Sequence, residues 1–395
     1  MKSLTRGGKR GSLKKPAKAR VNKRPPHAKF MSDSMVAVER AQGDLRRGLP
    51  VVIFPDKGRA SLIASAERAS DAVIDAMAAW SGNAPQVLLT HHRAATLKIR
   101  LYTDDAVAVD LPKAERARAA QILADPTRDM HDPLMGPWKA DRDGLSGAAL
   151  SAIQLGKMAE LLPAMIEVQI DRRKAQKLCR DEGMLAVNVQ QIKSQAANEQ
   201  LSFKIVARAQ LPLAGAEDTR VLAFRPTNGG SEHLALIVGA PEPPGPVLVR
   251  LHSACLTGDL LGSLKCDCGD QLRGAVQAIG HHGTGILLYL AQEGRGIGLI
   301  NKLKAYELQD QGFDTIDANQ RLGFEADERQ FAAAAEILQY LGFTKVRLMT
   351  NNPDKVAALG RLGVEVIERV AHQFPANPHN AAYIATKKAK AGHLT

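Results

Sequence analysis

Three of the four cysteines in the chain, Cys255, Cys266 and Cys268, lie within fourteen residues of each other. Thiolate is a ligand that zinc prefers, and three protein ligands leave the fourth tetrahedral position open for water, as in catalytic zinc sites. The alternative is three cysteines buried as small apolar side chains, but the segment around Cys266 and Cys268 is polar. The spacing therefore predicts a zinc ion that supplies hydroxide near neutral pH. Cys179 lies in a basic, helical pattern and is given no role.

A glycine-rich segment follows the apolar run 285–290 and could bind phosphate. Gly294, Gly296 and Gly298 leave backbone N–H groups open at the start of a predicted helix, and Arg295 adds a forked guanidinium. Turns use glycine without any ligand, so the pattern is weak alone. Beside a zinc site it favours an anionic ligand.

Two further segments place polar side chains where a helix begins. Asp327 and Arg329 precede a predicted helix, where the aspartate could equally be an ordinary cap. Thr350 ends a predicted strand and Lys355 lies in the next helix. This arrangement could bind phosphate, or it could be a plain strand–turn–helix without a ligand. The zinc motif itself lies between a strand and a helix, where α/β proteins usually bind ligands.

The elements that must position these residues form two domains. A length of 395 residues is too long for one ordinary core, and an apolar content of 45% is enough for two. We predict an α/β (α+β) fold with domains at 35–204 and 205–375, and tails at 1–34 and 376–395. The evidence is a long helical pattern at 147–162 and apolar, strand-like runs at 51–54, 87–89, 106–109, 221–224, 234–238, 247–251, 285–290 and 346–350.

The net charge of +12 comes almost entirely from the N-terminal tail. The first thirty residues hold eleven Lys and Arg and no acidic residue, so subtracting them leaves +1 for the rest of the chain. We predict a disordered tail that is dispensable or touches RNA or a membrane surface weakly through unspecific charge. Neither a membrane span nor a secretory signal is recognisable, and few cysteines fit a reducing compartment, so we expect a cytoplasmic protein.

The motifs RLHSACLTGD, KCDCGDQL, AQEGRGIGL, NQRLGFEADER and TNNPDKV stand in order between about 205 and 375. Because it contains these motifs in this order, the region resembles GTP cyclohydrolase II of riboflavin biosynthesis. The resemblance implies hydrolysis of GTP to formate, pyrophosphate and 2,5-diamino-6-ribosylamino-4(3H)-pyrimidinone 5′-phosphate. It also implies Zn²⁺ held by the three cysteines, Mg²⁺ on the substrate triphosphate, and a homodimer.

The resemblance also implies roles for individual residues. Tyr306 would lie near the ring-opening step, Asp327 would accept a proton, and Arg329 is the family's proposed nucleophile on the α-phosphate. Because guanidinium stays protonated, stabilising charge on the α-phosphorus is physically the easier role for Arg329. The implied GTP contacts, in which Gln271 would read the base, are Arg250, Leu251, His252, Ser253, Ala254, Gln271, Glu293, Gly294, Arg295, Thr315, Thr350 and Lys355.

One position departs from the family pattern. The family usually has glutamate before its first zinc cysteine, whereas this chain has Ala254. A carboxylate that orients substrate or water is therefore missing, which predicts a lower rate or a changed product. The alternatives are a paralogue that hydrolyses GTP only partly, and a nucleotide-sensing or RNA-binding regulator without turnover.

The N-terminal half more faintly resembles 3,4-dihydroxy-2-butanone 4-phosphate synthase. That family uses an acidic loop for Mg²⁺ and a Gly-His-Thr-Glu motif, but here the loop holds only Asp56 and the motif position reads Gly144-Leu145-Ser146-Gly147. Without those groups, neither metal binding nor acid–base chemistry has what it needs, which predicts an inactive domain. His91 and His92 could suggest a second metal site, but adjacent residues on a strand have opposite orientations, so they are expected to be structural or part of the polar surface.

Overall fold

The computed structural model describes residues 33–103, 105–130, 136–142, 144–197 and 202–381. Most of the predicted basic tail and the last fourteen residues lie outside these ranges. The first helix begins at Asp33, two residues before the predicted domain boundary. Within the described ranges, no helix is long and apolar enough to cross a membrane.

The N-terminal half folds around a mixed sheet of six strands in the order β4-β3-β5-β2-β1-β6, in which only β1 and β6 pair in parallel. Its strands are β1 (Val51–Phe54), β2 (Ala60–Ser65), β3 (Gln86–Thr90), β4 (Ala106–Asp110), β5 (Ala164–Ile170) and β6 (Ala186–Asn188). Its helices are α1 (Asp33–Arg46), α2 (Asp71–Ser81), α3 (His91–Thr96), α4 (Arg116–Ala124), α5 (Gly147–Met158), α6 (Arg172–Asp181) and α7 (Val189–Ala196).

The C-terminal half folds around seven strands in the order β13-β12-β10-β11-β9-β8-β7. Strands β13, β12, β10 and β11 pair in parallel, and the rest are antiparallel. The strands are β7 (Phe203–Gln210), β8 (Thr219–Pro226), β9 (His233–Val238), β10 (Val247–Ser253), β11 (Gly285–Leu290), β12 (Lys345–Met349) and β13 (Glu365–Val370). The helices are α8 (Cys268–His282), α9 (Leu299–Asp310), α10 (Thr315–Arg321), α11 (Ala332–Tyr340) and α12 (Pro353–Arg361).

The predicted helix at 147–162 is shorter in the structure and ends at Met158. Ser146 caps its start by accepting from the Ala149 N–H at 3.1 Å. At the other end Glu160 has φ 56°, a left-handed conformation that cannot continue an α-helix. The chain turns there and enters β5, which lies in the middle of the N-terminal sheet.

Each sheet is covered on both faces, and one of the resulting cores is shared by the two halves. The core on one face of the N-terminal sheet joins Leu62, Ile166 and their neighbours to Ile297, Leu308 and Phe324 from the C-terminal half. Burying apolar side chains from both halves together stabilises their contact as well as each half. The predicted mixed α/β fold with two sheets is confirmed; the domain boundaries stay predictions.

The prediction for His91 and His92 was wrong in one respect. Both residues open α3 rather than lying on a strand, because Thr90 ends β3 and caps the helix by accepting from the Arg93 N–H. Their rings lie 3.8 Å apart between centroids, and His92 Nε2 is 3.2 Å from Glu325 Oε2. A structural role therefore rests on helix packing and a hydrogen bond to Glu325, not on alternation along a strand.

Candidate active site

A pocket of about 1070 Å³ opens where the parallel strands of the C-terminal sheet end. Strands β10, β11 and β12 are neighbours and run in the same direction, so their carboxyl ends meet at one edge. Loops leaving this edge carry the motifs found in the sequence, which is where open α/β sheets bind ligands. The lining combines residues predicted from the sequence with others that were not predicted.

Of the site residues implied by the cysteine spacing and the family resemblance, all except Asp327 line this pocket, whereas Gly296 and Gly298 of the glycine-rich segment do not. Asp327 instead contacts Arg329, which does line it. The predicted residues that line it are Arg250, Leu251, His252, Ser253, Ala254, Cys255, Cys266, Cys268, Gln271, Glu293, Gly294, Arg295, Tyr306, Thr315, Arg329, Thr350 and Lys355. The residues that were missed include Ile297, Lys302, Ala305, Gln309, Asn319 and His372.

The three cysteine sulfur atoms converge at one end of the pocket, all within 4.8 Å of one another. Cys255 Sγ and Cys266 Sγ lie 3.7 Å apart. Zinc–sulfur bonds of about 2.3 Å in a tetrahedron place sulfur atoms about 3.8 Å apart, so the spacing fits. All four cysteines of the chain are free thiols. Among the described residues this is the one group of three or more His, Cys, Asp or Glu side chains arranged to hold a metal ion.

Gly258 allows the sulfur atoms to approach each other. It lies in the short π-helical turn Leu256–Leu260, and a Cβ there would stand 2.8 Å from Cys266 Sγ and 3.1 Å from Cys255 Sγ. Contacts under 3.0 Å force something to move, so a larger residue would displace the cluster. The Gly258 N–H instead donates to Cys255 Sγ at 3.3 Å, which favours the thiolate.

Asp259 fixes the backbone that leads into the cluster. Its carboxylate accepts from the Cys255 N–H and from the Tyr289 hydroxyl, each at 3.0 Å, and lies 3.0 Å from His252 Nε2. His252 and Asp259 are both buried, with side chains 4% and 6% exposed. A buried carboxylate with several partners is rigidly held, so Asp259 orients Cys255 through its backbone.

Lys302 and Glu293 lie against the same cluster. Lys302 Nζ is 3.0 Å from Cys255 Sγ and 2.9 Å from Glu293 Oε1. Hydrogen bonds from the Cys266 and Cys268 thiols, and then from Lys302, lower the pKa of the Cys255 thiol. Burial opposes the charge of Lys302, but its bonds to Glu293 and Cys255 raise its pKa overall. Cys255 is therefore favoured as the thiolate, the form that binds metal, whereas the hydrogen bonds to Cys255 and burial raise the pKa of the Cys266 and Cys268 thiols.

The glycine-rich loop adopts a conformation that explains its composition. Gly294 and Arg295 both have φ 62°, in the left-handed region, and a side chain on Gly296 would stand 2.8 Å from the carbonyl oxygen of Glu328. A non-glycine residue held in this region costs about 1–2 kcal/mol and marks a site where the surroundings impose the conformation. In this conformation Arg295 lines the pocket, and one of its N–H groups donates to the Ala326 oxygen at 3.3 Å.

Asp327 and Arg329 form a pair beside this loop. Arg329 Nε donates to Asp327 Oδ1 at 2.8 Å, and its terminal nitrogen pairs with Oδ2. Burial opposes ionisation of Asp327, but its bonds to Arg329 outweigh this and lower its pKa. The capping alternative was wrong, because α11 begins at Ala332 and its N-cap is Phe331.

Cationic side chains line the rest of the pocket. Arg250 is buried and donates to the carbonyl oxygen of Met349 and to Gln271 Oε1; burial lowers the pKa of Arg250 to about 10, so it is charged at neutral pH. Lys355 Nζ donates to the Leu251 oxygen at 3.0 Å. With Arg295 and Arg329 they provide a low-dielectric, positively charged wall suited to a polyanion.

Sequence reasoning missed Lys302, although a signal was present. Lys302 and Tyr306 are four residues apart in α9 and therefore share one helix face, so a role predicted for Tyr306 points to Lys302 as well. The Tyr306 hydroxyl is 3.4 Å from Thr257 Oγ1, and burial raises the pKa of this phenol, which keeps its proton. His372 had no such signal because it follows β13 far along the chain.

His233 anchors the start of the loop that carries Glu293. Its Nδ1 accepts from the Ala291 N–H at 3.0 Å, and burial lowers its pKa to about 4. In the unfolded chain this histidine binds a proton near pH 6.5. Its contribution to the free energy of unfolding is therefore fully present above pH 6.5 and declines as the pH falls towards 4. We expect His233 to account for a loss of about 2 kcal/mol between pH 7 and 5.

Urea unfolding of the wild type and of His233→Asn at both pH values measures this loss. Asparagine keeps an acceptor near the position of Nδ1 but does not titrate, so the variant should lose less stability on acidification. An equal loss in the two proteins would show that His233 is not the group responsible.

Fold and pocket together describe a two-domain mixed α/β enzyme whose cationic pocket adjoins a cysteine cluster. Comparison with known proteins narrows this class. The family model for GTP cyclohydrolase II matches residues 204–371. The chain is 46% identical over 381 residues to the GTP cyclohydrolase-2 of Azospirillum brasilense, covering 94% of this chain and 97% of that protein.

Two further similarities extend across most of the chain. The riboflavin biosynthesis protein RibBA of Synechocystis sp. is 35% identical over 396 residues, covering 90% of this chain and 71% of that protein. The solved structure of RibBX, a two-domain 3,4-dihydroxy-2-butanone 4-phosphate synthase from A. baumannii, has a TM-score of 0.33 at 18% identity, covering 85% of this chain and 99% of that one. The chain belongs to the GTP cyclohydrolase II family and is a hydrolase.

Proposed function

We propose that this chain is a zinc-dependent GTP cyclohydrolase II, which converts GTP and water to 2,5-diamino-6-ribosylamino-4(3H)-pyrimidinone 5′-phosphate, formate and pyrophosphate in riboflavin biosynthesis. The observation that carries the proposal is the convergence of three sulfur atoms and five lysine and arginine side chains on one pocket. One end suits a metal that activates water, and the other suits a triphosphate.

Cys255, Cys266 and Cys268 would hold the metal. Zn²⁺ bound there would lower the pKa of a water molecule and polarise the carbon that is attacked in ring opening. Tyr306 would donate a hydrogen bond beside that step, since its raised pKa keeps the phenol protonated. Lys302 and Glu293 would keep the sulfur end of the pocket ordered, because Lys302 bonds to both Cys255 and Glu293.

The proposed base contact is Gln271. Its side-chain oxygen accepts from Arg250, and its nitrogen donates to Asp267 Oδ2 at 2.5 Å, which fixes the orientation of the amide. An amide held in this way can present one defined pattern of donor and acceptor to a purine edge. His372 Nε2 is 2.9 Å from the backbone oxygen of Gln271, and this contact holds the same helix start in place.

The proposed triphosphate contacts surround the other end of the pocket. Arg250, Arg295, Thr350 and Lys355 would bind the phosphates, with Mg²⁺ neutralising part of their charge. Arg329 would stabilise charge on the α-phosphoryl group as pyrophosphate leaves, and Asp327 would hold Arg329 and accept a proton. Preorganised charges in a partly dry site lower the barrier because they need little reorganisation.

Ala254 supports a second candidate, a paralogue that hydrolyses GTP only partly. Ala254 lines the pocket directly before the cysteine cluster and supplies no carboxylate. Glu293 is the carboxylate that reaches this place, since its Oε2 accepts from the Leu256 N–H at 2.6 Å. If Glu293 serves in place of the missing side chain, complete hydrolysis is retained.

The deciding experiment supplies zinc-loaded protein with GTP and Mg²⁺ and measures formate, pyrophosphate and the mass of the pyrimidine product. We expect one formate and one pyrophosphate for each GTP consumed. Pyrophosphate without formate would support the partial hydrolase. GTP binding without either product would support a nucleotide-sensing regulator instead. The homodimer and the cytoplasmic location stay predictions, to be tested by sedimentation and by fractionation.

A further inference from the structure

The N-terminal half packs directly behind one wall of the pocket. Residues 293–329 supply that wall, including Arg295, Tyr306 and Arg329. From the same segment, Leu308 and Phe324 enter the core of the N-terminal sheet, and Ile297 both lines the pocket and enters this core. The wall is therefore supported by a domain that contributes no residue to the lining.

Polar contacts link the two halves at defined points. Asn301 Nδ2 donates to the Glu160 oxygen at 2.9 Å, and a Cβ on Gly298 would stand 2.7 Å from Glu160 Oε2. Lys304 pairs with Asp125, and its side chain points away from the pocket. These contacts hold α9, whereas Asp327 lies in the turn that follows α10.

Lys157, at the end of α5, reaches the loop that carries Asp327 and Arg329. Its Nζ lies 2.6 Å from Glu328 Oε1, and the two side chains are 16% and 20% exposed. The same Glu328 oxygen accepts from the Glu325 N–H at 2.9 Å, which closes a turn over 325–328. Lys157 of the N-terminal half therefore holds the Glu328 side chain, whose carboxylate closes this turn.

The turn is also tied to the glycine-rich loop. The Glu328 N–H donates to the Arg295 oxygen at 3.1 Å, and Arg295 donates in return to the Ala326 oxygen at 3.3 Å. A shift of Glu328 would therefore move Asp327 and Arg329 and would loosen Arg295. Displacement of catalytic groups by about 1 Å can lower a rate by about 100-fold.

We propose that Lys157 is a positioning residue for Asp327 and Arg329, and that the N-terminal half serves the reaction by holding this loop. The expected change in kcat rests on the proposed function, whereas the expected loosening of the loop does not. Lys157 does not line the pocket; it fixes Glu328. The Glu328 carboxylate accepts from the Glu325 N–H, and the Glu328 N–H, between Asp327 and Arg329, donates to the Arg295 oxygen.

The test compares Lys157→Met with Lys157→Arg and Lys304→Met in the full chain. Lys304→Met removes an ion pair between the same halves, of similar burial, without touching the 325–329 turn. Hydrogen exchange followed by mass spectrometry measures opening of residues 323–330, and steady-state kinetics with GTP separates kcat from KM.

We expect exchange at residues 325–329 to be at least about threefold faster in Lys157→Met. We expect kcat to fall about tenfold while KM changes less than about twofold, because the loop acts on the transition state. Lys157→Arg should restore much of both, and Lys304→Met should leave both close to the wild-type values.

Wild-type exchange and kcat in Lys157→Met would overturn the inference, and so would an equal loss in Lys304→Met. A wild-type protein without turnover would contradict the proposed function alone. In that case the exchange rates of the loop still decide whether Lys157 holds it.

Discussion

Replacing Cys266 by serine should remove bound zinc and lower GTP turnover by at least about 1000-fold. Serine keeps the size of the side chain but supplies a hydroxyl in place of the thiolate that zinc prefers. Loss of contacts that only orient metal ligands already costs about 10–100-fold in affinity, and loss of a ligand should cost more. Without the metal, water at neutral pH is a weak nucleophile, and several kcal/mol of barrier lowering are lost.

Metal content by plasma mass spectrometry and formate release by coupled assay check this expectation. Cys179→Ser is the matched control, because Cys179 lies in α6 of the N-terminal half, outside the cluster. We expect about one zinc per chain in the wild type and control, and much less in Cys266→Ser. Full activity in Cys266→Ser would contradict a metal-dependent reaction at this cluster.

The strands and the site motifs could be predicted because their signals are local. An apolar run such as 285–290 reads as a buried strand, and it is β11. The cysteine cluster was recognisable because its ligands lie within fourteen residues, so loop geometry alone brings them together. Most pocket residues were predictable from the resemblance because they lie in short motifs, several of them at the end of a strand, as Ser253 and Thr350 do.

Contacts between distant segments could not be predicted in the same way. Lys157 and Glu328 are 171 residues apart, and nothing in either local pattern indicates that they meet. Phe324 and Leu308 belong to the C-terminal half of the sequence, but they contribute to the core of the N-terminal sheet. Packing between sheets depends on the whole fold, whereas helices and strands depend on neighbouring residues.

Helix starts gave the least reliable predictions. His91 and His92 follow an apolar run and read as its continuation, but the Thr90 hydroxyl turns the chain into α3. Asp327 stands where a cap would be expected, but its carboxylate is used by Arg329 and the helix starts five residues later. In both cases a single side-chain hydrogen bond decides between two local structures of similar energy.

Replacing Arg329 should separate two roles for this residue. Its bidentate contact with Asp327 holds the guanidinium in a fixed plane beside the pocket, as charge stabilisation requires. We expect Arg329→Met to lower kcat by about 100- to 1000-fold and Arg329→Lys to retain at least about tenfold more activity than Met. Lysine keeps the positive charge but cannot reproduce both bonds to Asp327.

Arg347→Met is the matched control, because Arg347 pairs with Glu368 at the surface of the sheet and lies outside the pocket lining. Its kcat should equal that of the wild type. Labelling with GTP carrying radioactive α-phosphate, followed by alkaline denaturation, tests for a covalent bond between phosphorus and nitrogen. Charge stabilisation requires that no label stays on the protein during turnover. A labelled wild type, with both Arg329 variants equally inactive and unlabelled, would instead make Arg329 the nucleophile, even though its guanidinium must then lose a proton to attack.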